Sequence, residues 1–131
     1  MEKNAERALD LLARNTPLLP WMVVGSTNLA LHGLSVSPND IDISVRMEDV
    51  SRVEHAFWEA RSGTKALKKG SANEYLELTL SLGGICVQVI GEQDGLYDRF
   101  LDRAERITLD GRVIPCLPLE LEARCYEHLG R

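Results

Sequence analysis

Aromatic side chains are scarce in this sequence, where Phe, Trp and Tyr together make up 5% of the residues. Cysteine is scarce too: Cys86, Cys116 and Cys125 are odd in number, widely spaced and free of any Cys-x-x-Cys pair. That usage indicates a reducing, cytoplasmic setting. No apolar run approaches the length of a membrane span. The charged first seven residues do not match a signal peptide, so we expect no export.

Positive charge is also in short supply. Fifteen Lys and Arg stand against twenty Asp and Glu, which gives a formal net charge of −5. Proteins that follow nucleic-acid phosphates are usually basic, so this balance argues against broad DNA or RNA binding. A small polyanion such as a nucleotide remains compatible with it, provided that a metal ion carries the local positive charge.

The 131 residues, 44% apolar and 27% charged, predict one globular domain over residues 1–131. Periodicity and turn signals predict helices over 3–15, 27–34, 48–62, 96–104 and 118–129, and strands over 21–24, 40–45, 74–80 and 85–90. Asp110-Gly111 predicts a further hairpin turn. The basic residues Lys65, Lys68 and Lys69 could meet a triphosphate, but a solvated helix end or loop is the favoured interpretation. The sum is an α/β or α+β fold with a mixed sheet flanked by helices, whose strand order the sequence leaves open.

Gly25 and Ser26 lie between a predicted strand and a predicted helix. Glycine there lets the backbone approach a ligand closely, and the N–H groups at a helix start attract phosphate. An ordinary strand-to-helix turn with a serine or threonine cap explains the same residues, so this motif alone does not decide between the two.

Asp40 and Asp42 alternate with Ile41 and Ile43 in a predicted strand. Residues two apart share one face, so the two carboxylates lie side by side and repel unless a cation lies between them. Oxygen ligands of this kind suit Mg²⁺, whose coordination sphere usually includes several waters and the phosphates of a substrate. The solvated face of an edge strand remains the alternative for an isolated Asp-x-Asp.

Together, the two motifs are far more specific. A strand, Gly25-Ser26, a helix, a loop and then Asp40-Ile41-Asp42-Ile43 resembles the signature of the nucleotidyltransferase superfamily, which has the DNA polymerase β-like fold. The segment from Val23 to Leu34 is most similar to small bacterial members, including abortive-infection and antitoxin nucleotidyltransferases and lincosamide-modifying enzymes. The resemblance is strong over residues 21–46 and extends loosely over most of the chain.

The resemblance implies a role for each motif residue. Gly25 and Ser26 would hold a nucleoside triphosphate such as ATP, and Asp40 and Asp42 would bind Mg²⁺ or Mn²⁺. A third carboxylate on a later strand completes the family's metal site, and that position falls on Gln88. Because a neutral amide is a poor base, Gln88 places turnover in question but leaves the fold untouched. It can equally be an ordinary exposed strand residue.

Glu77 is a candidate replacement for that missing carboxylate, as a third catalytic residue beside Asp40 and Asp42. Pairing of the two predicted strands sets Glu77 across from Gln88 if the loop is Leu82-Gly83, or across from Ile90 if it is Gly83-Gly84. Both registers keep Glu77 and Gln88 on one face. A solvated Glu77 hydrogen-bonded to Gln88 is the alternative.

These observations predict a Mg²⁺-dependent nucleotidyltransferase that moves a nucleoside monophosphate from a nucleoside triphosphate to an acceptor hydroxyl. In the rival interpretation, the chain is a non-catalytic member of the fold that binds a nucleotide or a partner protein, as an antitoxin-like regulator does. The acceptor is not specified by the sequence. Larger members of the superfamily select the acceptor with an added helical domain. We therefore expect a homodimer or a helical partner protein to supply the side of the acceptor site that such a domain would form.

Overall fold

A computed structural model describes residues 1–70 and 73–130. The strands in this part of the chain are β1 (Trp21–Val24), β2 (Asp40–Arg46), β3 (Ala66–Lys69), β4 (Glu74–Leu82), β5 (Ile85–Glu92), β6 (Glu105–Leu109) and β7 (Arg112–Cys116). The α-helices are α1 (Lys3–Asn15), α2 (Gly25–Leu31), α3 (Val50–Ala56) and α4 (Leu119–His128).

The seven strands form one sheet in the order β3-β4-β5-β2-β1-β7-β6. The pairs β2–β5 and β1–β7 are parallel, and the remaining pairs are antiparallel. The predicted mixed sheet flanked by helices is therefore confirmed. The order places β2, which carries the aspartates, in the centre of the sheet between β1 and β5.

The two faces of the sheet are covered differently. One face packs against α1 and α3 in the larger apolar core, which includes Leu9, Leu12, Ile41, Ile43, Val53, Leu78 and Val87. A second, smaller core covers part of the opposite face and includes Met22, Val24, Tyr97, Leu101, Leu117, Leu121 and Cys125. Because α4 and residues 96–104 cover only the β1 side of this second face, the polar side chains of β2, β4 and β5 line an opening there.

Several predicted helices are shorter than expected. The 48–62 helix is broken into a 3₁₀ turn, α3 and a second 3₁₀ turn, because Phe57 leaves helical geometry (φ −117°, ψ 33°) while its ring is buried in the core. The 96–104 helix is a 3₁₀ segment that begins only at Asp98. Helix α2 begins at Gly25 and ends at Leu31, ahead of Gly33 at φ +91°, and no side chain caps its start.

The basic segment was wrongly predicted as a helix end or loop. Residues Ala66–Lys69 form β3, an edge strand whose side chains are all exposed and which pairs with β4. Lysine is common on edge strands because its charge discourages pairing with another sheet. Within residues 1–70 and 73–130, no helix is long and apolar enough to cross a membrane.

Candidate functional site

A cavity of about 310 Å³ opens on the second face of the sheet. It brings together the end of β1, the middle of β2, β4 and β5, and the C-terminal helix α4. The residues that line it are Gly25, Ser26, Asp42, Gly70, Asn73, Tyr75, Glu77, Gln88, Ile90, Glu92, Leu96, Tyr97, Tyr126 and Leu129. Four of the five residues predicted from the sequence for nucleotide, metal or catalysis therefore meet in one cavity, and Gln88 is beside them.

A larger groove of about 460 Å³ lies between α1 and the β6–β7 hairpin. Among its charged side chains, Arg112 and Arg14 both contact Asp10, at 2.7 and 3.0 Å. None of the five residues predicted from the sequence for nucleotide, metal or catalysis is among the described residues that line this groove, so the cavity on the second face is the better candidate.

The Gly25-Ser26 turn lies directly against Asp42. Val24 pairs with Asp42 across the antiparallel β1–β2 ladder, and Gly25 has φ +76°. A Cβ atom on Gly25 would lie 3.0 Å from Asp42 Oδ2, so only glycine leaves this approach unobstructed. The phosphate turn and the metal aspartate predicted from the sequence are thus immediate neighbours in space.

Asp40 and Asp42 point to the same side of β2, as alternation predicts, but their surroundings differ. Asp42 is partly buried and lines the cavity, whereas Asp40 is exposed and lies outside the lining. The Thr27 hydroxyl donates to the Asp40 carbonyl oxygen at 2.8 Å, which ties the start of β2 to α2. In the described part of the chain, no group of three or more His, Cys, Asp or Glu side chains could hold a metal ion. Asp40 and Asp42 on one face of β2 still fit Mg²⁺, which is commonly held by one or two carboxylates plus substrate phosphates.

Gln88 is the register partner of Asp42 in the parallel β2–β5 ladder. The Thr79 hydroxyl donates to Gln88 Oε1 at 2.8 Å, and Gln88 Nε2 donates to Cys86 Sγ at 3.6 Å. The Gln88 amide, which lies beside Asp42, is therefore held in place by the side chains of Thr79 and Cys86. Burial raises the pKa of the Cys86 thiol, and the charges of Asp40, Asp42 and Glu77 raise it further.

Glu77 lies across from Ile90, so the Gly83-Gly84 register is confirmed and the register that set Glu77 opposite Gln88 is wrong. Both hairpin glycines have positive φ, which favours a two-residue turn at that point. Glu77 still faces the cavity with Gln88. Its carboxylate pairs with Lys68 of β3 at 2.8 Å, rather than with Gln88.

A fully buried glutamate on α4 was missed by the sequence analysis. Glu122 Oε1 accepts hydrogen bonds from the Gly25 N–H at 2.6 Å and from Asn28 Nδ2 at 3.1 Å. Burial raises the pKa of the Glu122 carboxyl, and these hydrogen bonds oppose the shift only in part. Helical periodicity could have predicted its burial, because Glu122 falls in the same helical stripe as Leu121 and Cys125.

Another buried glutamate shapes the cavity wall. Glu92, at the end of β5, accepts hydrogen bonds from the backbone N–H groups of Leu96, Tyr97 and Asp98 at 3.0 to 3.3 Å. Burial raises the pKa of this carboxyl as well. The loop that carries Leu96 and Tyr97 into the cavity is therefore fastened to the strand that carries Gln88.

Comparisons with known proteins agree with this arrangement. The family model of aminoglycoside-2''-adenylyltransferases matches residues 7–131, nearly the whole chain. No curated protein matches in sequence. A crystal structure from Thermotoga maritima, of a protein provisionally assigned as a nucleotidyltransferase, superposes with a TM-score of 0.87 at 25% identity; the match covers 100% of this chain and 88% of that one.

Two structures of the antibiotic-resistance factor ANT(2'')-Ia are more distant. A crystal structure with adenylyl-2''-tobramycin gives a TM-score of 0.59 at 15% identity, and a solution structure gives 0.58 at 16%. Each match covers 98% of this chain, and 76% and 71% of the respective ANT(2'')-Ia chains. At that identity the likeness shows a shared fold. The family match, together with the Thermotoga maritima structure, supports nucleotidyl transfer as the general class of activity. The chain belongs to the aminoglycoside-2''-adenylyltransferase family and is a member of the nucleotidyltransferase superfamily.

Proposed function

We propose that this chain is a Mg²⁺- or Mn²⁺-dependent nucleotidyltransferase that moves a nucleoside monophosphate, with ATP as the first donor to test, to an acceptor hydroxyl. The observation that carries the proposal is the contact between the Gly25 turn and Asp42, where a Cβ atom would already crowd the carboxylate. Nucleotidyl transfer needs a turn that can meet phosphate and a carboxylate that can hold a cation, both at the same place. The family match supports the same class of reaction.

Asp40 and Asp42 would hold the metal ion. Their side chains project from one face of β2 and offer only oxygen atoms, the donor type that Mg²⁺ and Mn²⁺ prefer. When bound, the ion would neutralise the charge that develops on the phosphate oxygens. Among the described residues that line the cavity there is no Lys or Arg, so this part of the lining supplies little positive charge to a triphosphate.

The remaining residues would bind and orient the reactants. Ser26 and the open side of Gly25 would meet the phosphates. The acceptor oxygen would attack the α-phosphorus in line with the bond to pyrophosphate, which leaves with that bonding pair. The proton of the acceptor hydroxyl would pass to the Glu77 carboxylate, which faces the cavity while Lys68 balances its charge.

The acceptor proposed here is a polycationic sugar of the aminoglycoside class. Asp42 and Glu77 give the cavity wall two carboxylates, which would attract ammonium groups. The substrate named in the family's description belongs to this class. A second copy of the chain or a helical partner protein would complete the open side of the cavity.

Calorimetry of ATP with Mg²⁺ on the wild-type chain and on Asp42→Asn tests the site. We expect wild-type binding and a loss of at least about tenfold in Asp42→Asn, since one charged metal ligand is gone. Asp102→Asn is the matched control, because Asp102 is exposed and outside the cavity lining. Equal binding by wild type and Asp42→Asn would show that the nucleotide does not use this site. Transfer of labelled AMP to tobramycin then tests the acceptor class.

A non-catalytic role as a nucleotide-binding or partner-binding regulator is the second candidate. Gln88 favours it, because the register partner of Asp42 carries no charge and is held by Thr79. The pairing of Glu77 with Lys68 favours it too, because the Lys68 ammonium occupies the carboxylate that would have to reach the acceptor hydroxyl. Nucleotide binding without any transfer to tobramycin or other polyamine sugars would support this candidate.

A further inference from the structure

Glu122 is an unusual residue for its position on α4. Its side chain is fully buried, in the same stripe of the helix that packs Leu121 and Cys125 against the second core. A carboxylate is costly to remove from water, and an apolar side chain of similar size often stabilises such a position better. The burial therefore calls for an explanation other than the stability of the helix.

The hydrogen bonds of Glu122 connect three distant parts of the chain. Its Oε1 accepts from the Gly25 N–H at 2.6 Å and from Asn28 Nδ2 at 3.1 Å, and Asn28 Nδ2 also donates to the Leu117 carbonyl oxygen at 2.8 Å. The turn after β1 and the helix α2 thereby meet α4 at one carboxylate oxygen, and Asn28 extends the connection to the residue after β7. Hydrogen bonds to a charged acceptor are short and directional, so they fix the orientation of the donor.

The donor in question belongs to the candidate nucleotide-binding turn. With the Gly25 N–H directed at Glu122, this amide is not presented to the cavity, although Gly25 and Ser26 both line it. The Cβ position of Gly25 lies 3.0 Å from Asp42 Oδ2, so the turn that Glu122 holds is directly beside the proposed metal ligand.

We propose that Glu122 is a positioning residue for nucleotide binding: it holds the Gly25-Ser26 turn in the orientation that leaves room for phosphate beside Asp42. This inference rests on the proposed function, because it assigns the phosphates to that turn. It does not require Glu122 to touch the nucleotide, which is consistent with the absence of Glu122 from the described cavity lining.

Two substitutions separate positioning from simple support of the fold. Glu122→Ala removes the acceptor, whereas Glu122→Gln retains an oxygen that can accept from the Gly25 N–H. Glu120→Ala and Glu120→Gln are matched controls, because Glu120 is exposed on the same helix. We would measure KM for ATP with Mg²⁺, kcat, the melting temperature, and the NMR shift and hydrogen exchange of the Gly25 amide.

We expect Glu122→Ala to raise KM about tenfold, the usual loss for one hydrogen bond to a charged group, and to expose the Gly25 amide to exchange. Glu122→Gln should stay within about threefold of the wild-type KM. A purely structural role would lower the melting temperature of Glu122→Ala while leaving KM unchanged. A folded Glu122→Ala with wild-type KM and a protected Gly25 amide would overturn the proposal.

Two further outcomes also test the positioning role: a Glu122→Ala variant that does not fold, and a wild type that does not bind ATP. If Glu122→Ala does not fold, Asn28→Ser removes the second donor to the carboxylate, and it should raise KM and weaken protection of the Gly25 amide; unchanged values would count against positioning. If wild type neither binds nor turns over ATP with Mg²⁺, the proposed function fails. The Gly25 amide in Glu122→Ala then decides alone whether Glu122 holds the turn.

Discussion

At the scale of single residues, Gly25 carries two constraints at once at the candidate site. It combines φ +76° with a Cβ position that is only 3.0 Å from Asp42 Oδ2. Gly33 has a similar φ, +91°, but a Cβ atom added there meets nothing within 4 Å. The two glycines therefore separate the cost of backbone strain from the cost of crowding Asp42.

Gly25→Ala should destabilise the chain more than Gly33→Ala does. Both variants incur the positive-φ penalty, about 1 kcal/mol, and Gly25→Ala also displaces the Asp42 carboxylate. Urea denaturation of both variants measures the difference, and titration with ATP and Mg²⁺ should show a binding loss in Gly25→Ala only. Equal destabilisation with equal binding would mean that Asp42 moves aside at no cost.

Glu77 and Gln88 decide between the two candidate functions. If Glu77 accepts the proton, Glu77→Gln should lower kcat by about 10²-fold or more, with a smaller change in KM. Full activity in Glu77→Gln would remove Glu77 from the reaction. Thr79→Val, which loses the hydrogen bond to Gln88 but no charge, is the control.

Gln88→Asp tests the other possibility at the same place. An aspartate at this register partner of Asp42 would restore a third carboxylate beside the proposed metal ligands. Transfer activity that appears only in Gln88→Asp would identify the natural chain as a binding protein whose chemistry has lapsed. A loss of activity would show that the wild-type amide is already suited to the reaction.

At the scale of elements, the loop after β5 is organised by the Glu92 carboxylate. The loop runs through Gly95, where a Cβ atom would collide with Glu92 Oε2. The side chain of Asp98 accepts two further backbone N–H groups, those of Asp94 and Gly95. The cavity wall made by Leu96 and Tyr97 therefore depends on two carboxylates and one glycine.

Gly95→Ala should loosen this wall without disturbing the Gly25 turn. The added methyl group displaces Glu92 and thereby frees the N–H groups of Leu96 and Tyr97, so faster hydrogen exchange over 94–98 is expected. Gly111→Ala, at an exposed hairpin where nothing lies within 4 Å, is the control. Unchanged exchange over 94–98 in Gly95→Ala would show that Glu92 is not what holds the loop.

The elements also show what sequence reasoning can reach. The strands that carry Asp42 and Gln88 were predictable, because both alternate and both supply buried apolar side chains to one core. Strand β3 was missed because Ala-Leu-Lys-Lys has no alternation and gains its structure from pairing with β4. Glu122 was missed for a different reason. In residues 119–122, Leu-Glu-Leu-Glu, each glutamate follows a leucine, and only their positions around the helix distinguish the exposed Glu120 from the buried Glu122.

At the scale of the whole molecule, two buried acids link folding to protonation. Burial raises the pKa of Glu92 and of Glu122 above their ordinary value of 4.5. The folded chain then binds these protons more tightly than the unfolded chain does. The stabilisation that these two protons give to the folded chain is complete below about pH 4.5. It is lost as the pH rises through the raised pKa values of the folded state.

The wild-type free energy of unfolding should therefore decline between pH 4.5 and neutrality relative to Glu92→Gln and Glu122→Gln, which cannot titrate. Urea denaturation over this pH range measures the difference in slope, and Glu120→Gln should run parallel to the wild type because Glu120 is exposed. Parallel curves for all four proteins would mean that neither buried carboxyl changes its proton affinity on folding.

The hydrogen bond between Gly25 and Glu122 joins residues 97 positions apart, and this has a consequence for synthesis in the cell. At about 5 to 20 residues per second, roughly 5 to 20 s pass between the appearance of the turn and that of the glutamate that holds it. Contacts of such long range also carry a high loop-closure entropy, which delays them during folding. A nascent chain therefore has β1 and β2 well before it has a finished cavity, and the ability to bind a nucleotide marks the completion of the fold rather than its beginning.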